Sequence, residues 1–263
     1  MPEDRGLSDF FGVLEDLKEH LPGLTLVGGW VPYLYANFLW RGVKARPVFT
    51  SDVDWGVSPE RTFFPGRTVF RALSALGYSE RHIELGKLQP VVFYRNNRTR
   101  LDFIAPSGGR EAERFLGREV ALSRLDDFGF LLKNTVTLRL RRGNSEYILK
   151  CPSPAAFVLH KCATFAGRAD AQKIGKDLYY AYFVLRYAPD GAALLSELRG
   201  YGRSAIFRRA RANVRAWFPD KYGRGCVYVR RENGPDEYIE DLAGDIFRRF
   251  DSAFNPRPPG RGF

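Results

Sequence analysis

Ser51-Asp52-Val53-Asp54-Trp55 places two acids at alternate positions, with apolar residues between and after them. In an extended segment successive side chains point to opposite faces. Asp52 and Asp54 would then share one face, about 7 Å apart, while Val53 and Trp55 turn into a core. Two carboxylates held that close repel unless a cation sits with them. Mg²⁺ or Mn²⁺ suits such a pair, because it takes hard oxygen ligands and shares its shell with substrate phosphates. Asp102 stands in a second alternating run, Thr99-Arg100-Leu101-Asp102-Phe103-Ile104, and a neighbouring strand would bring it beside the first two. Three carboxylates converging from two strands are what two-metal phosphoryl or nucleotidyl transfer requires. Asp52, Asp54 and Asp102 are therefore the candidate catalytic metal ligands.

Upstream, Gly28-Gly29 separates the apolar run Leu24-Thr25-Leu26-Val27 from Trp30 and the apolar residues after it. Glycines at a strand-to-helix junction let backbone N–H groups approach a phosphate, and the helix N-terminus adds positive potential. Gly28 and Gly29, with Ser51 at the edge of the acidic run, form the candidate nucleotide-binding set, with a nucleoside triphosphate as substrate.

These residues need elements to hold them. Periodicity predicts a helix over 7–20 capped by Ser8, a strand over 24–27 and a buried helix over 30–40 with Pro32 in its first turn. A strand over 51–57 and a helix over 67–76, with Val69, Leu73 and Leu76 inward, come next. Strands over 88–94 and 99–104 flank the turn residues Asn96-Asn97. A loop over 107–111 precedes extended pieces near 118–122 and 135–149. Ser107-Gly108-Gly109-Arg110 lacks the Lys-Ser of a P-loop and reads as a plain turn. Helical periodicity then takes over at 153–167, 171–187, 190–217 and 236–253, with a Gly- and charge-rich connection at 219–235. The expected class is α+β: a mixed sheet with flanking helices over 1–150, a helical domain over 151–253, and a disordered tail at 254–263.

LVGGW, FTSDVDWGV and RLDFI together resemble the DNA polymerase β-like nucleotidyltransferase superfamily, whose pattern is a glycine pair, then two alternating acids, then a third acid on an adjacent strand. The resemblance covers residues 24–105. In the C-terminal half, SPAAFVLHKCATFAGR and KDLYYAYFVL resemble the third and fourth motifs of the abortive-infection-type nucleotidyltransferase toxins. Lys161, Arg168, Lys176, Asp177 and Tyr179 align with that pattern. Tyr180 departs from it, since no carboxylate follows Tyr179, and the second-motif region departs as well. The resemblance implies that Lys161 contacts the triphosphate and that Asp177, read at the opening of a helix, orients Lys161 or the metal shell. Both join the candidate catalytic set. As a partly exposed lysine, Lys161 would be replaceable by Ala without loss of fold.

The formal net charge is +11, and arginines cluster at 139–142, 199–215 and 224–231. Such an excess suits a polyanion, and Arg suits bidentate phosphate contact. RNA, with tRNA as one such acceptor, is what this favours. A protein or small-molecule acceptor, or a non-catalytic nucleotide- or RNA-binding module, are the alternatives. A toxin-like role would bring a cognate antitoxin as partner. Cys151, Cys162 and Cys226 form no CxxC pair and read as reduced and structural. His20, His82 and His160 share no metal spacing, and Tyr179, Tyr180, Tyr182 and Phe183 read as core. The N-terminus is acidic and amphipathic, not a signal peptide, and no apolar run reaches bilayer length, so a cytoplasmic protein without membrane contact is expected.

Overall fold

The computed structural model describes residues 2–40, 43, 50–57, 66–84, 89–108, 110–232 and 240–255. The expected tail beyond Asn255, Gly109 of the loop, Leu88 at the start of a strand and residues 233–239 lie outside them. The chain divides into two units, Met1–Leu34 with Phe49–Pro152 and Tyr35–Val48 with Ser153–Phe263.

The first unit is built on a mixed sheet. Its strands are β1 (Leu24–Val27), β2 (Val53–Val57), β3 (Ser79–His82), β4 (Val91–Arg95), β5 (Thr99–Pro106), β6 (Leu122–Leu125), β7 (Thr135–Arg142) and β8 (Ser145–Pro152). They run in the order β3-β4-β5-β2-β1-β8-β7, with β6 also paired to β5. β5 is parallel to β2, and β2 is antiparallel to β1. Its helices are α1 (Pro2–Asp16), α2 (Trp30–Leu34), α3 (Val69–Ala75), α4 (Glu111–Leu116) and α5 (Phe128–Lys133).

One face of the sheet is closed by helices. Phe11 of α1 lies 6.1 Å from the Tyr147 ring, and Phe70 of α3 lies 5.8 Å from Phe93. Val53, Trp55, Leu101 and Phe103 belong to this face and are buried. α5 packs on the opposite face, where the absent side chain of Gly56 leaves room for Leu132 and the Phe128 ring. β1, with all four residues buried, lies mid-sheet.

α1 begins earlier than the Ser8 signal suggests, at Pro2, a favoured first helical residue, and it ends at Asp16. Within it the buried Asp9 accepts from Asn96 (2.7 Å), Arg98 and Thr99 (both 3.3 Å), tying the helix to the β4–β5 hairpin. Asn96 and Asn97 turn that hairpin with φ of +50° and +58°. β3, α4 and α5 are too short for periodicity to show. Leu76 is 55% exposed rather than inward, because α3 stops at Ala75. Asp52 lies just ahead of β2 rather than within it.

The second unit holds α6 (Pro154–Thr164), α7 (Ala171–Tyr187), α8 (Gly191–Gly200), α9 (Ala205–Trp217), α10 (Arg224–Glu232) and α11 (Leu242–Phe254). Ser153 caps α6, its oxygen accepting from Ala156 N–H at 3.2 Å, and Ser204 caps α9 the same way through Phe207 N–H at 3.2 Å. Phe165 meets Trp217 edge-on at 5.1 Å and Phe218 stacks on Phe250 at 4.1 Å. Tyr179, Tyr180, Tyr182 and Phe183 are core, and the three cysteines are buried free thiols. α10 replaces the connection expected over 219–235. Gly223 and Gly225 look like breakers, yet any side chain on Gly225 would strike the Phe218 ring, and one on Gly223 would meet Pro219 Cδ at 2.7 Å. They are glycines because the helix start is pressed against its neighbours.

The basic stretch 199–215 is partly structural. Arg209 donates to the Ala163 carbonyl at 3.1 Å, and Asn213 donates to Cys162 and Ala163 at 3.1 Å, so α9 satisfies the open C-terminal carbonyls of α6. Arg215 holds Asn255 at 2.7 Å. Among the described residues, no helix is long and apolar enough to cross a membrane.

Candidate active site

Asp54 on β2 and Asp102 on β5 are paired in register, flanked by the pairs Val53–Leu101 and Trp55–Phe103. Directly opposed residues point to the same side, and neighbouring strands lie about 4.8 Å apart. The two carboxylates are therefore next to each other, on the face away from Trp55 and Phe103. Both are half-buried. Asp52, two residues upstream of Asp54, takes a hydrogen bond from Ser51 Oγ at 3.2 Å, and its N–H lies 3.4 Å from Thr50 Oγ1.

Register also explains the glycine. Val27 is opposite Asp54, so the next residue, Gly28, turns the chain over the end of β2. Its φ is +73°, and a Cβ built on it would collide with the Asp54 carboxylate. Gly28 thus serves two needs at once, a left-handed turn and a close approach to an acid. Gly29, the other candidate, is buried in the same turn ahead of α2.

A further residue, not anticipated from the sequence, belongs here. Arg100 lies two places before Asp102 on β5, on the same face, and donates to Asp102 Oδ1 from Nε at 2.9 Å and Nη2 at 2.8 Å. Burial works against the charge on Arg100, but Asp102, and more weakly Asp52, outweigh it and hold the guanidinium above its ordinary pKa. The alternation that marks Asp102 also contains Arg100, a base among acids on the same strand face.

In the helical unit, Lys161 Nζ is ion-paired with Asp177 Oδ1, and Arg168 Nε reaches Asp177 Oδ2 at 3.0 Å. Lys161 also lies 5.6 Å from the Phe157 ring and 5.8 Å from the Tyr180 ring. Tyr180, where the toxin pattern would have a carboxylate, instead offers an aromatic face to the lysine. Lys161 is only 9% exposed and Asp177 only 4%, which corrects the expectation of a partly exposed lysine. Asp177 is not at a helix start either. Asp170 caps α7, accepting from Gln172 N–H at 2.8 Å, and Asp177 lies inside the helix. Burial by itself would raise the Asp177 pKa, but the charges and hydrogen bonds of Lys161 and Arg168 prevail and hold it below the usual range.

A nucleotidyltransferase family profile matches residues 12–197. The chain belongs to this family. No curated protein and no solved structure matches it. The matched span of this nucleotidyltransferase takes in Gly28, Asp52, Asp54, Asp102, Lys161 and Asp177; α9 to α11 lie beyond it.

Do these residues suit a divalent metal? Asp54 and Asp102 offer hard oxygen donors only, on one face, beside a backbone turn left clear by Gly28. Asp102 is held by Arg100, and among the described residues no three Asp, Glu, His or Cys side chains are gathered as a metal-binding group. The donor chemistry fits Mg²⁺ or Mn²⁺.

Gly28→Ala provides a direct test of the close approach. The methyl group would displace the Asp54 carboxylate, and a non-glycine residue at this φ costs a further ~1–2 kcal/mol. Thermal unfolding should drop by several degrees and nucleotide-dependent stabilisation should vanish. Retention of both would show that the turn relaxes without moving Asp54.

Proposed function

We propose that this nucleotidyltransferase is metal-dependent and moves a nucleoside monophosphate from a triphosphate to a hydroxyl of RNA, with tRNA as one such acceptor, in a toxin-like role. The observation that carries the reading is the registered Asp54–Asp102 pair beneath the Gly28 turn. The +11 charge supports a polyanionic acceptor over a small cationic one.

In such a transfer the acceptor oxygen bonds to the α-phosphorus, the bond from that phosphorus to the pyrophosphate oxygen breaks, and the hydroxyl proton is lost. Mg²⁺ or Mn²⁺ held by Asp52, Asp54 and Asp102 would supply charge neutralisation for the triphosphate and lower the pKa of the acceptor hydroxyl. The chain's own contribution is placement. Gly28 and Gly29 keep the turn beside Asp54 free of side chains, so backbone N–H groups can approach phosphate. Ser51 steadies Asp52. Arg100 orients Asp102. Lys161, whose place in the toxin pattern is at the triphosphate, is positioned by Asp177.

The test is incubation with each α-labelled nucleoside triphosphate, Mg²⁺ and total RNA, following labelled species and released pyrophosphate. Label should enter RNA with one or two of the four nucleotides, and EDTA should stop it. Label on protein or small molecules would overturn the RNA acceptor while preserving nucleotidyl transfer; absence of pyrophosphate with every nucleotide would overturn catalysis.

A further inference from the structure

α10 carries an exposed surface that packing does not account for. Cys226 and Val229 face inward and are buried, so the helix has its core contacts. On its outer side Tyr222, in the turn before it, is 78% exposed and Val227 is 40% exposed. They line a hollow of about 200 Å³ with Lys221 and Arg230, and Val227 and Arg230 continue into a second hollow of about 340 Å³ bordered by Arg231. The two hollows adjoin at Val227 and Arg230, and together they are the α10 groove.

The groove is cationic. From Lys221 to Arg231 the chain has four basic residues and no acid. Asp241 borders one end, but its carboxylate accepts from Gly244 N–H at 3.0 Å to cap α11 and lies 3.6 Å from Arg248. Lys221 Nζ lies 5.3 Å from the Tyr222 ring, and on the neighbouring side Arg224 stacks on Trp217 at 3.6 Å. An exposed ring flanked by Lys and Arg is the pairing that holds single strands: the ring takes an unstacked base and the cations track its phosphates. A duplex hides its bases and cannot use the ring. Among the described residues, one tyrosine and one valine are too little apolar surface for a stable protein interface or for membrane insertion.

We infer that the α10 groove is a docking surface for single-stranded RNA, with a base on Tyr222 and phosphates on Lys221, Arg230 and Arg231. The inference deepens the RNA-acceptor reading and rests on it for the identity of the strand. It places that strand's contact on helices outside the matched family span.

The test uses the full-length protein without nucleotide and a short fluorescein-labelled RNA, read by anisotropy across a salt series. The parent should bind the single strand, more weakly as salt rises. Tyr222→Ala should weaken binding about tenfold, and Tyr222→Phe should restore it, since the ring is what stacks. Arg230→Ala and Arg231→Ala should each lower the salt slope by about 0.7. All three sites are exposed, so thermal unfolding should not move. Parent-like binding by Tyr222→Ala overturns the inference, as does equal competition from duplex RNA or inorganic polyphosphate, a preference for DNA, or binding only of an acidic peptide. Labelling assays separate this from the wider reading. Tyr222-dependent RNA binding without RNA labelling would leave the groove standing and remove RNA as acceptor. RNA labelling that is indifferent to Tyr222→Ala at low RNA would do the reverse.

Discussion

Asp54→Asn should lower nucleotidyl transfer by more than about a hundredfold and leave the fold in place. Loss of residues that merely orient metal ligands typically costs about 10–100-fold, so loss of a carboxylate proposed as a ligand should exceed that. Asp54 is the central member of the set, in register with Asp102 on one side and under the Gly28 turn on the other. Asn keeps the shape that packs against Gly28 and removes one of two neighbouring negative charges, so stability should hold or rise slightly. The measurement is pyrophosphate release at saturating nucleotide and Mg²⁺, with thermal unfolding in parallel. Transfer above about a tenth of the parent rate would remove Asp54 from the catalytic set. Arg100→Ala should have a smaller effect than Asp54→Asn, because it removes the guanidinium that orients Asp102 without removing a carboxylate.

The largest effect on stability belongs to Lys161→Ala. Removing one partner of a buried ion pair costs about 3–5 kcal/mol, because the other charge stays buried without compensation. Arg168 remains at 3.0 Å from Asp177, which places the loss toward the lower end. Lys161→Met keeps the stem that packs near Phe157 and Tyr180 and isolates the charge effect. The pH dependence follows from the depressed Asp177 pKa. In the parent, the pair's contribution is complete above the unfolded carboxyl value and is lost as pH falls through the lower folded value. In Lys161→Ala the deficit should be full near neutrality and shrink in acid, where Asp177 protonates and the isolated charge disappears. Urea unfolding from pH 7 down to pH 3 measures this. A deficit below about 1 kcal/mol at neutral pH would mean that Lys161 contributes little to the fold, as its sequence context suggests.

The candidate carboxylates were legible because strand parity is local. Asp54, Arg100 and Asp102 alternate with Val53, Trp55, Leu101 and Phe103, and a period of two assigns them to one face whatever the strand order; Asp52 lies ahead of β2, outside the strand. The helix opening at Ser153-Pro154 was equally local, as was the Asn96-Asn97 turn, whereas the Ser204 cap divides what periodicity reads as one helix over 190–217. Helical periodicity likewise marked α6 and α7. Strand order was not local: β2 lies between β1 and β5, and that placement alone sets Asp54 against both Asp102 and Gly28. The engagement of Arg100 with Asp102 is a matter of side-chain reach. Burial of Lys161 could not be read from its own helix, because the acid that makes a buried lysine tolerable stands sixteen residues on, inside another helix. α10 was hidden for the same reason. Its glycines look like breaks in one dimension and become close helix contacts only when Phe218 and Pro219 are packed against them. Local periodicity determined which residues share a face; long-range packing decided which faces meet, and with them the partners of each charge.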